Sequence, residues 1–208
     1  MTLQSLHKYA EMFNWLNGTL NIVLFFRLQE LLFRAINNLS SQHLIFIGER
    51  CKNLQKLHIK ELGPEPETEV FTSMISILNK RLYGELRILH MSGRGWNPKV
   101  VLPIMLMSAS KISKLSLLNM SSRLNMDQAW NRVLASNKLL NMVSISLYSG
   151  CIVSVSLVRK LTLECPKLTF FSFIQSENME LAEVERLRLE VTKKNLNIKL
   201  ACLEMFEV

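Results

Sequence analysis

Two histidines, His58 and His90, are the side chains of this chain best suited to chemistry, because they stand in matching surroundings. Each lies between two apolar residues, in the segments Leu-His-Ile and Leu-His-Met. Paired imidazoles bind transition metals or transfer protons in many active sites. The matching position of the other segments holds no Cys, Asp or Glu that would complete a ligand set. No nucleophile with a positioned base accompanies them, so we interpret both as surface residues that hydrogen-bond to a partner.

The remaining nucleophiles lack the motifs that catalysis requires. The four cysteines form no Cys-x-x-Cys pair, which excludes a redox dithiol or zinc ribbon and favours reduced, buried thiols. Ser144 and Ser146 lack the flanking glycines of a hydrolase nucleophile elbow. The glycine-rich segment 93–98 has neither the Gly-Lys-Ser/Thr of a phosphate loop nor the third glycine of a dinucleotide fingerprint. We therefore predict no catalytic residue, no cofactor and no metal, and we do not expect an enzyme.

The composition indicates a folded chain built mainly from helices and strands. Of 208 residues, 49% are hydrophobic and 20% are charged, and only seven are glycine and five are proline. These values exclude low-complexity disorder and collagen-like structure. The longest apolar run, residues 20–26, is much shorter than the roughly 20 residues of a membrane-spanning helix, and no basic segment of a signal peptide precedes it. We expect a cytoplasmic or nuclear protein that does not bind membranes.

A repeated spacing of apolar residues is the strongest pattern in the sequence. Apolar side chains recur at positions i, i+3 and i+5, and successive complete copies begin 26 to 32 residues apart. The six triplets are Leu28/Leu31/Phe33, Leu54/Leu57/Ile59, Leu86/Leu89/Met91, Ile112/Leu115/Leu117, Met142/Ile145/Leu147 and Leu168/Phe171/Phe173. A partial copy is predicted to start at Leu3. Periods of this length are typical of proteins built from stacked repeats.

Each copy combines the pattern of a strand with that of a helix. The last two members of each triplet alternate with other residues, as the buried positions of a strand do. Helical spacing is found in segments 39–50, 70–82, 100–108, 126–140 and 153–164, and segment 179–194 predicts a further helix before a last strand within 197–206. One strand and one helix cannot bury both of their apolar faces alone, whereas stacked neighbours in a parallel sheet can. We predict an α/β fold in which residues 1–208 form a single right-handed solenoid of about six to seven degenerate repeats.

Two of the copies resemble a known repeat. The segments Cys51–Ile59 (CKNLQKLHI) and Cys165–Phe173 (CPKLTFFSF) are similar to the Cys-x-x-Leu-x-x-Leu-x-Leu phrase of cysteine-containing leucine-rich repeats. Such repeats are found in the F-box/leucine-rich-repeat family of ubiquitin-ligase substrate receptors, and the resemblance covers about residues 25 to 175. Both cysteines lie three residues before the first leucine, a position that holds apolar or aromatic residues in the other copies. We interpret them as buried structural thiols.

The resemblance implies a curved coil with the parallel sheet on its concave face and the helices on its convex face. It also implies recognition of ubiquitination substrates within a ligase complex whose other subunits perform the catalysis. No segment of the chain resembles an F-box, so a ligase adaptor subunit is expected to bind only if an F-box exists outside this chain. Neither end shows the polar cap that solenoids need, which indicates part of a longer protein, a truncated isoform or a diverged relative.

Two other interpretations stay open. An intracellular leucine-rich-repeat scaffold or regulatory protein unrelated to ubiquitin would contain the same repeat. An extracellular recognition domain is compatible with the Asn-x-Ser/Thr sequons at Asn17, Asn38 and Asn119. The sequence shows neither a leader nor the paired cysteines of disulfide caps, which disfavours the extracellular interpretation.

The residues between the buried positions of each strand are the expected contacts for a protein partner, because in a leucine-rich-repeat coil they face outward on the concave surface. The predicted binding residues are Gln55, Lys56, His58, Lys60, Arg87, His90, Lys114, Ser116, Tyr148, Phe170 and Ser172. His58 and His90 share one position of the repeat, which predicts imidazoles about 5 Å apart on neighbouring strands. His7 joins them if Leu3 starts a copy. Cys202 is expected in the core.

The net charge of +8 is concentrated in the centre of the chain. Residues 80–167 contain 13 Lys and Arg against three acidic residues, whereas the rest of the chain contains 12 basic and 14 acidic residues. Such a field would favour an acidic partner segment or give a weak attraction for nucleic acid. The basic residues are spread over helices, loops and strands without a platform of arginines and aromatic rings. We therefore do not expect dedicated nucleic-acid binding.

Overall fold

The structure of the chain, a computed structural model, describes eleven segments that together form ten strands and four helices. The described residues are 2–3, 28–34, 41–60, 82–93, 102–103, 105–107, 109–118, 124–148, 151–174, 180–194 and 197–203. The strands are β1 (Thr2–Leu3), β2 (Glu30–Arg34), β3 (Lys56–Lys60), β4 (Ile88–Ser92), β5 (Lys114–Leu118), β6 (Leu124–Asn125), β7 (Ser144–Leu147), β8 (Cys151–Ile152), β9 (Phe170–Ile174) and β10 (Lys199–Leu203). The helices are α1 (Ser41–Arg50), α2 (Asp127–Ser136), α3 (Val155–Glu164) and α4 (Leu181–Lys193).

Every strand pairing in the sheet is parallel. Seven strands of four or five residues follow one another in chain order as β2, β3, β4, β5, β7, β9 and β10, and the two-residue strand β1 pairs with β2. The short strands β6 and β8 form a second row that joins the end of β9 where Ile152 pairs with Ile174. The sheet is open. The predicted α/β class with a parallel sheet is confirmed.

The predicted positions of the helices are largely confirmed, with shorter ends. Residues 102–103 and 105–106 are helical as predicted, whereas the helix predicted at 70–82 lies outside the described residues except for Leu82, which is in a turn. The predicted extension of α2 to Leu140 is wrong, because Asn137 has an extended backbone. The side-chain amide of Asn137 donates hydrogen bonds to the carbonyls of Leu106, at 2.7 Å, and Ala109, at 3.2 Å, which ends the helix against the preceding repeat.

One apolar core contains the buried residues of both strands and helices. All eighteen triplet residues named from the sequence are buried, and none is more than 7% exposed. The buried helix residues Leu44, Trp130, Leu161 and Leu187 belong to the same core. Because each strand alternates, helices therefore cover one face of the sheet, and the intervening strand residues point to the opposite face.

The same backbone turn precedes five of the strands. In each turn an amide N–H donates to the carbonyl three residues earlier, over 2.9 to 3.2 Å. The donor–acceptor pairs are Leu54–Cys51, Leu86–Tyr83, Ile112–Ala109, Met142–Leu139 and Leu168–Cys165. The acceptor residues are those that share the position of the two cysteines in the sequence repeat, and all five are buried. The interpretation of Cys51 and Cys165 as buried structural thiols is confirmed.

The amino-terminal strand has a different register from the one the sequence suggests. Leu3 pairs with Leu31, the second member of its triplet, so Leu3 does not start a copy in phase with Leu28. Two apolar residues alone do not fix a register, because strand pairing also depends on the neighbouring turns. The predicted alignment of His7 with His58 loses its basis, and His7 itself lies outside the described residues.

Helix α1 approaches the turn before β4 so closely that only glycine fits at the contact. A β-carbon on Gly48 would lie 2.8 Å from Cβ of Leu82 and 2.9 Å from Cε2 of Tyr83. The ring of Tyr83 is buried, and its hydroxyl donates a hydrogen bond to the carbonyl of Leu44 in the same helix. These contacts hold α1 against the turn that leads into β4.

We predict that Gly48→Ala destabilises the protein, although alanine favours helices by about 1 kcal/mol over glycine. The added methyl must displace Leu82 and Tyr83, which we expect to lower the free energy of unfolding by about 1–3 kcal/mol. Urea denaturation followed by circular dichroism measures this change. Gly84→Ala is the matched control, because a β-carbon there would have no neighbour within 4 Å. A Gly48→Ala protein as stable as the control would contradict the proposed contact.

Candidate functional site: the outward face of the sheet

The outward face is the side of the sheet opposite the core, and its side chains form rows across the strands. Parallel pairing without a shift places equivalent residues of successive strands next to each other. The first row is Glu30, Lys56, Ile88, Lys114, Ser144, Phe170 and Lys199. The second row is Leu32, His58, His90, Ser116, Ser146, Ser172 and Ala201.

The structure brings most of the predicted binding residues together on this face. Lys56, Lys114 and Phe170 lie in the first row, and His58, His90, Ser116 and Ser172 lie in the second row. Lys60 ends β3, opposite Arg34 of β2, and Tyr148 directly follows β7. Gln55 and Arg87 precede β3 and β4, respectively. The predicted set thus spans four of the seven longer strands and the turns beside them.

Gln55 and Arg87 have a backbone role in addition to any contact with a partner. The carbonyl of Gln55 accepts hydrogen bonds from the amides of Arg87, at 2.8 Å, and Ile88, at 3.0 Å. The carbonyl of Arg87 accepts from the amides of Ser113 and Lys114 at the same two distances. These bonds start the pairing of each strand with the next, while the side chain of Arg87 is exposed.

Ser172 does not contribute to the accessible surface, which corrects the prediction that it contacts a partner. Its side chain is 1% exposed, and its hydroxyl has no hydrogen-bond partner among the described residues. The serine lies on β9, which is paired on both sides, between Ser146 and Ala201. A hydroxymethyl group reaches only a short distance above a strand that is paired on both sides.

The two imidazoles predicted to be neighbours do lie side by side. His58 pairs with His90 in the register of β3 and β4, and their ring centroids are 5.9 Å apart with a tilt of 32°. Burial lowers the pKa of His58, with a further lowering by Lys60 and Lys56 that Glu30 opposes. Burial also lowers the pKa of His90, and His58 and Lys60 act in the same direction. Burial therefore favours the neutral form of both rings near pH 7, and protonation requires a more acidic solution than for a free imidazole.

The charge of the outward face is uneven. The basic half, which we define as Lys56, His58, Lys60, Arg87, His90 and Lys114, lies on β3, β4 and β5 or directly before them. The sequences of these three strands, KLHIK, ILHMS and KLSLL, contain no carboxylate. Glu30 on β2 pairs with Lys56 over 3.3 Å. The following strand and turn carry the neutral residues Ser144, Ser146 and Tyr148.

Sequence reasoning missed Glu30 and Lys199, which belong to the first row. Both stand at the same repeat position as Lys56, which is two residues after the first apolar residue of its copy. The copy that begins at Leu28 follows the same pattern as the others, so its residue two positions later, Glu30, is expected on the outward face. Lys199 lies in a predicted strand without a complete triplet, and the sequence therefore did not assign it a position.

The thiols of the chain are unsuited to nucleophilic chemistry. None of the four cysteines forms a disulfide bond, and burial raises the pKa of Cys51, Cys151 and Cys165 to about 12. Cys202, expected in the core, is partly buried and packs against it. In the described part of the chain, no group of three or more His, Cys, Asp or Glu side chains is arranged to hold a metal ion.

A search of the described helices finds none with the length and hydropathy needed to cross a membrane. Comparisons of the chain with models of protein families, with curated proteins and with solved structures give no match. The outward face is therefore the feature from which a function can be inferred.

We predict that the native protein shows one slowly accessible thiol and three protected thiols. At pH 8, a thiol with a pKa of about 12 is a thiolate in only about one molecule in ten thousand, and burial blocks the reagent as well. Reaction with a chromogenic disulfide reagent, followed by absorbance, should modify Cys202 first and the other three only after urea is added. The Cys202→Ala variant should then show no reaction in its native state. Rapid native modification of Cys51 or Cys165 would contradict their structural role.

Proposed function

We propose that the chain is a leucine-rich-repeat coil without catalytic activity that binds a protein partner through its outward face. The observation that carries this proposal is the register: two rows of side chains run unshifted across seven longer strands, directly above one continuous apolar core. Such an arrangement holds a broad set of polar side chains in fixed relative positions. Proteins that present fixed side chains on a regular sheet commonly use them for recognition.

The interactions between successive strand–helix units support a stacked architecture. Lys56 contacts Glu30, Lys111 contacts Glu85 and Lys167 contacts Asn141, and each pair is separated by 26 residues. The Lys111–Glu85 ion pair is the shortest of these three contacts, at 2.6 Å. These side chains therefore link three of the units to the unit immediately before each in the chain, and contacts between successive units are typical of solenoid proteins.

The relative sizes of strands and helices favour a curved coil. Adjacent strands lie about 4.8 Å apart, whereas helices with their side chains are about 10 Å wide. Units that stack with both elements in contact must therefore fan out on the helix side. In a coil of this kind the outward face of the sheet would be the concave surface, as the resemblance to leucine-rich repeats implies.

The dimensions of the face favour a protein over a small ligand. Its two rows cross seven strands, which corresponds to a width of roughly 29 Å at the usual strand spacing. Small molecules are bound in enclosed clefts that cover most of their surface, whereas an extended face with scattered polar residues suits a protein partner.

The proposed role in ubiquitin ligation rests on the resemblance to F-box/leucine-rich-repeat proteins. It is supported by the equivalent environments of Cys51 and Cys165, which are both buried and whose carbonyls both accept an amide hydrogen bond at 3.0 Å. In this role the chain would select the substrate, and other subunits would transfer ubiquitin. Contact with a ligase adaptor would require an F-box outside this chain.

The proposal predicts that a bulky charge on the outward face abolishes partner binding. Ser146 lies in the middle of the second row, so Ser146→Arg should remove the partner that affinity purification recovers with the wild-type chain. Ser136→Arg is the matched control, because Ser136 is exposed at the end of α2 on the helix side. Quantitative mass spectrometry of the recovered proteins should show at least a tenfold loss for Ser146→Arg and no loss for Ser136→Arg.

A partner that survives Ser146→Arg but is lost with Ser136→Arg would contradict the proposed binding face. Cullin and adaptor subunits among the recovered proteins would support the role in ubiquitin ligation. A face-dependent partner without ligase subunits would instead indicate a scaffold unrelated to ubiquitin. Glycosidase-sensitive modification at Asn17, Asn38 or Asn119, which lie outside the described residues, would support the extracellular alternative.

A further inference from the structure

We propose that the basic half of the outward face binds an acidic segment of the protein partner, with carboxylates placed over the His58–His90 pair and between the lysines that flank it. This inference rests on the proposed function, because it specifies the chemistry of the partner for the same face. It also predicts that binding strengthens as the solution becomes mildly acidic.

Charge complementarity is the first observation that favours an acidic partner. Lys56, Lys60 and Lys114 lie on β3 and β5, Arg87 directly precedes β4, and these three strands contain no carboxylate. Among these basic residues, Lys56 forms an ion pair with a described residue, Glu30. Lys60, Arg87 and Lys114 form no ion pair with a described acidic residue, so their charges are available to a partner.

The spacing of these cations is the second observation. β4 separates β3 from β5, so Lys56 and Lys114 in the first row stand about 10 Å apart, two strand spacings. His58 and His90 occupy the adjacent second row, and Lys60 lies two residues beyond His58 on β3. Basic groups thus surround the imidazole pair from several sides. An extended acidic segment has carboxylates on alternate residues, roughly 7 Å apart, and can reach more than one of these groups.

The imidazole pair couples this site to pH. The charged groups that act on it are Glu30 on β2 and Lys56 and Lys60 on β3. On β5, its neighbour in the second row is the neutral Ser116, and Lys114 lies in the first row beside Ile88. Burial and the charge of Lys60 lower the pKa of both rings. A carboxylate bound above the rings favours their protonated form and raises their pKa, so binding takes up protons. By linkage, affinity increases as the pH falls.

The side chains of this region favour an acidic protein segment over a nucleic acid. Single-stranded nucleic acids bind through bases that stack on aromatic rings beside a basic groove. The outward positions of β3, β4 and β5 hold lysine, histidine, isoleucine, serine and leucine, with no Phe, Tyr or Trp among them. A peptide needs only the charges and hydrogen-bond donors that these positions provide.

Fluorescence anisotropy with a labelled peptide of ten glutamates tests the inference on the full chain at low salt. We expect the dissociation constant to fall by at least about fivefold between pH 7.5 and pH 6.0. Each proton taken up on binding can lower the dissociation constant by up to about tenfold per pH unit. The Lys60→Gln/Lys114→Gln variant should bind at least about fivefold more weakly at pH 7.5. Arg132→Gln/Lys138→Gln removes two exposed charges from α2 and the turn after it, and this control should bind within about twofold of wild type.

The His58→Gln/His90→Gln variant should bind the peptide at pH 7.5 within about twofold of wild type and lose the gain at pH 6.0. Equal weakening by the two charge variants, or a pH response that survives the loss of both histidines, would overturn the inference. Tighter binding of a ten-residue oligothymidylate than of the glutamate peptide would overturn it as well. If Ser146→Arg still removes the natural partner in any of these cases, the proposed function stands and only the acidic nature of the partner is wrong.

Discussion

The burial of apolar side chains between neighbouring strand–helix units is the constraint on which the rest of this structure depends. A unit of about thirty residues has an apolar strand face and an apolar helix stripe, and neither is covered within the unit. Leu57, Leu89 and Leu115 lie opposite each other on successive strands, and all are buried in the core that the helices also enter. Each unit therefore requires the next one, which sets the parallel order of the sheet.

The same constraint determines the outward face. A shift of one residue in any strand would turn its buried triplet residues toward water, so burial fixes the register. Once the register is fixed, the intervening residues align across the sheet whether or not their side chains contact each other. His58 and His90 are neighbours for this reason, and the basic residues of β3 and β5 surround them for the same reason. The outward residues can therefore vary while the core keeps them in place.

Much of this arrangement follows from local sequence, and the exceptions depend on contacts between distant residues. The triplets and the His58–His90 pair were predictable, because strand alternation and equal repeat position are visible in the sequence. The end of α2 was not, since it depends on bonds from Asn137 to carbonyls in the previous repeat. The burial of Ser172 was not predictable either, because repeat position gives the direction of a side chain and not its exposure. The pairing of Leu3 with Leu31 was not predictable, because the partial apolar pattern that begins at Leu3 is too short to fix a register.

Pulsed electron paramagnetic resonance on the full chain tests the stacked order of the strands most directly. Spin labels at Glu30→Cys and Phe170→Cys, in a Cys202→Ala background, would mark the first row on β2 and β9, which are five strand spacings apart. Stacking in chain order predicts a single narrow distribution near about 24 Å between the strand positions, widened by the label linkers. A main distance below about 15 Å, or a broad distribution without a maximum, would contradict the stacked sheet and with it the proposed binding face.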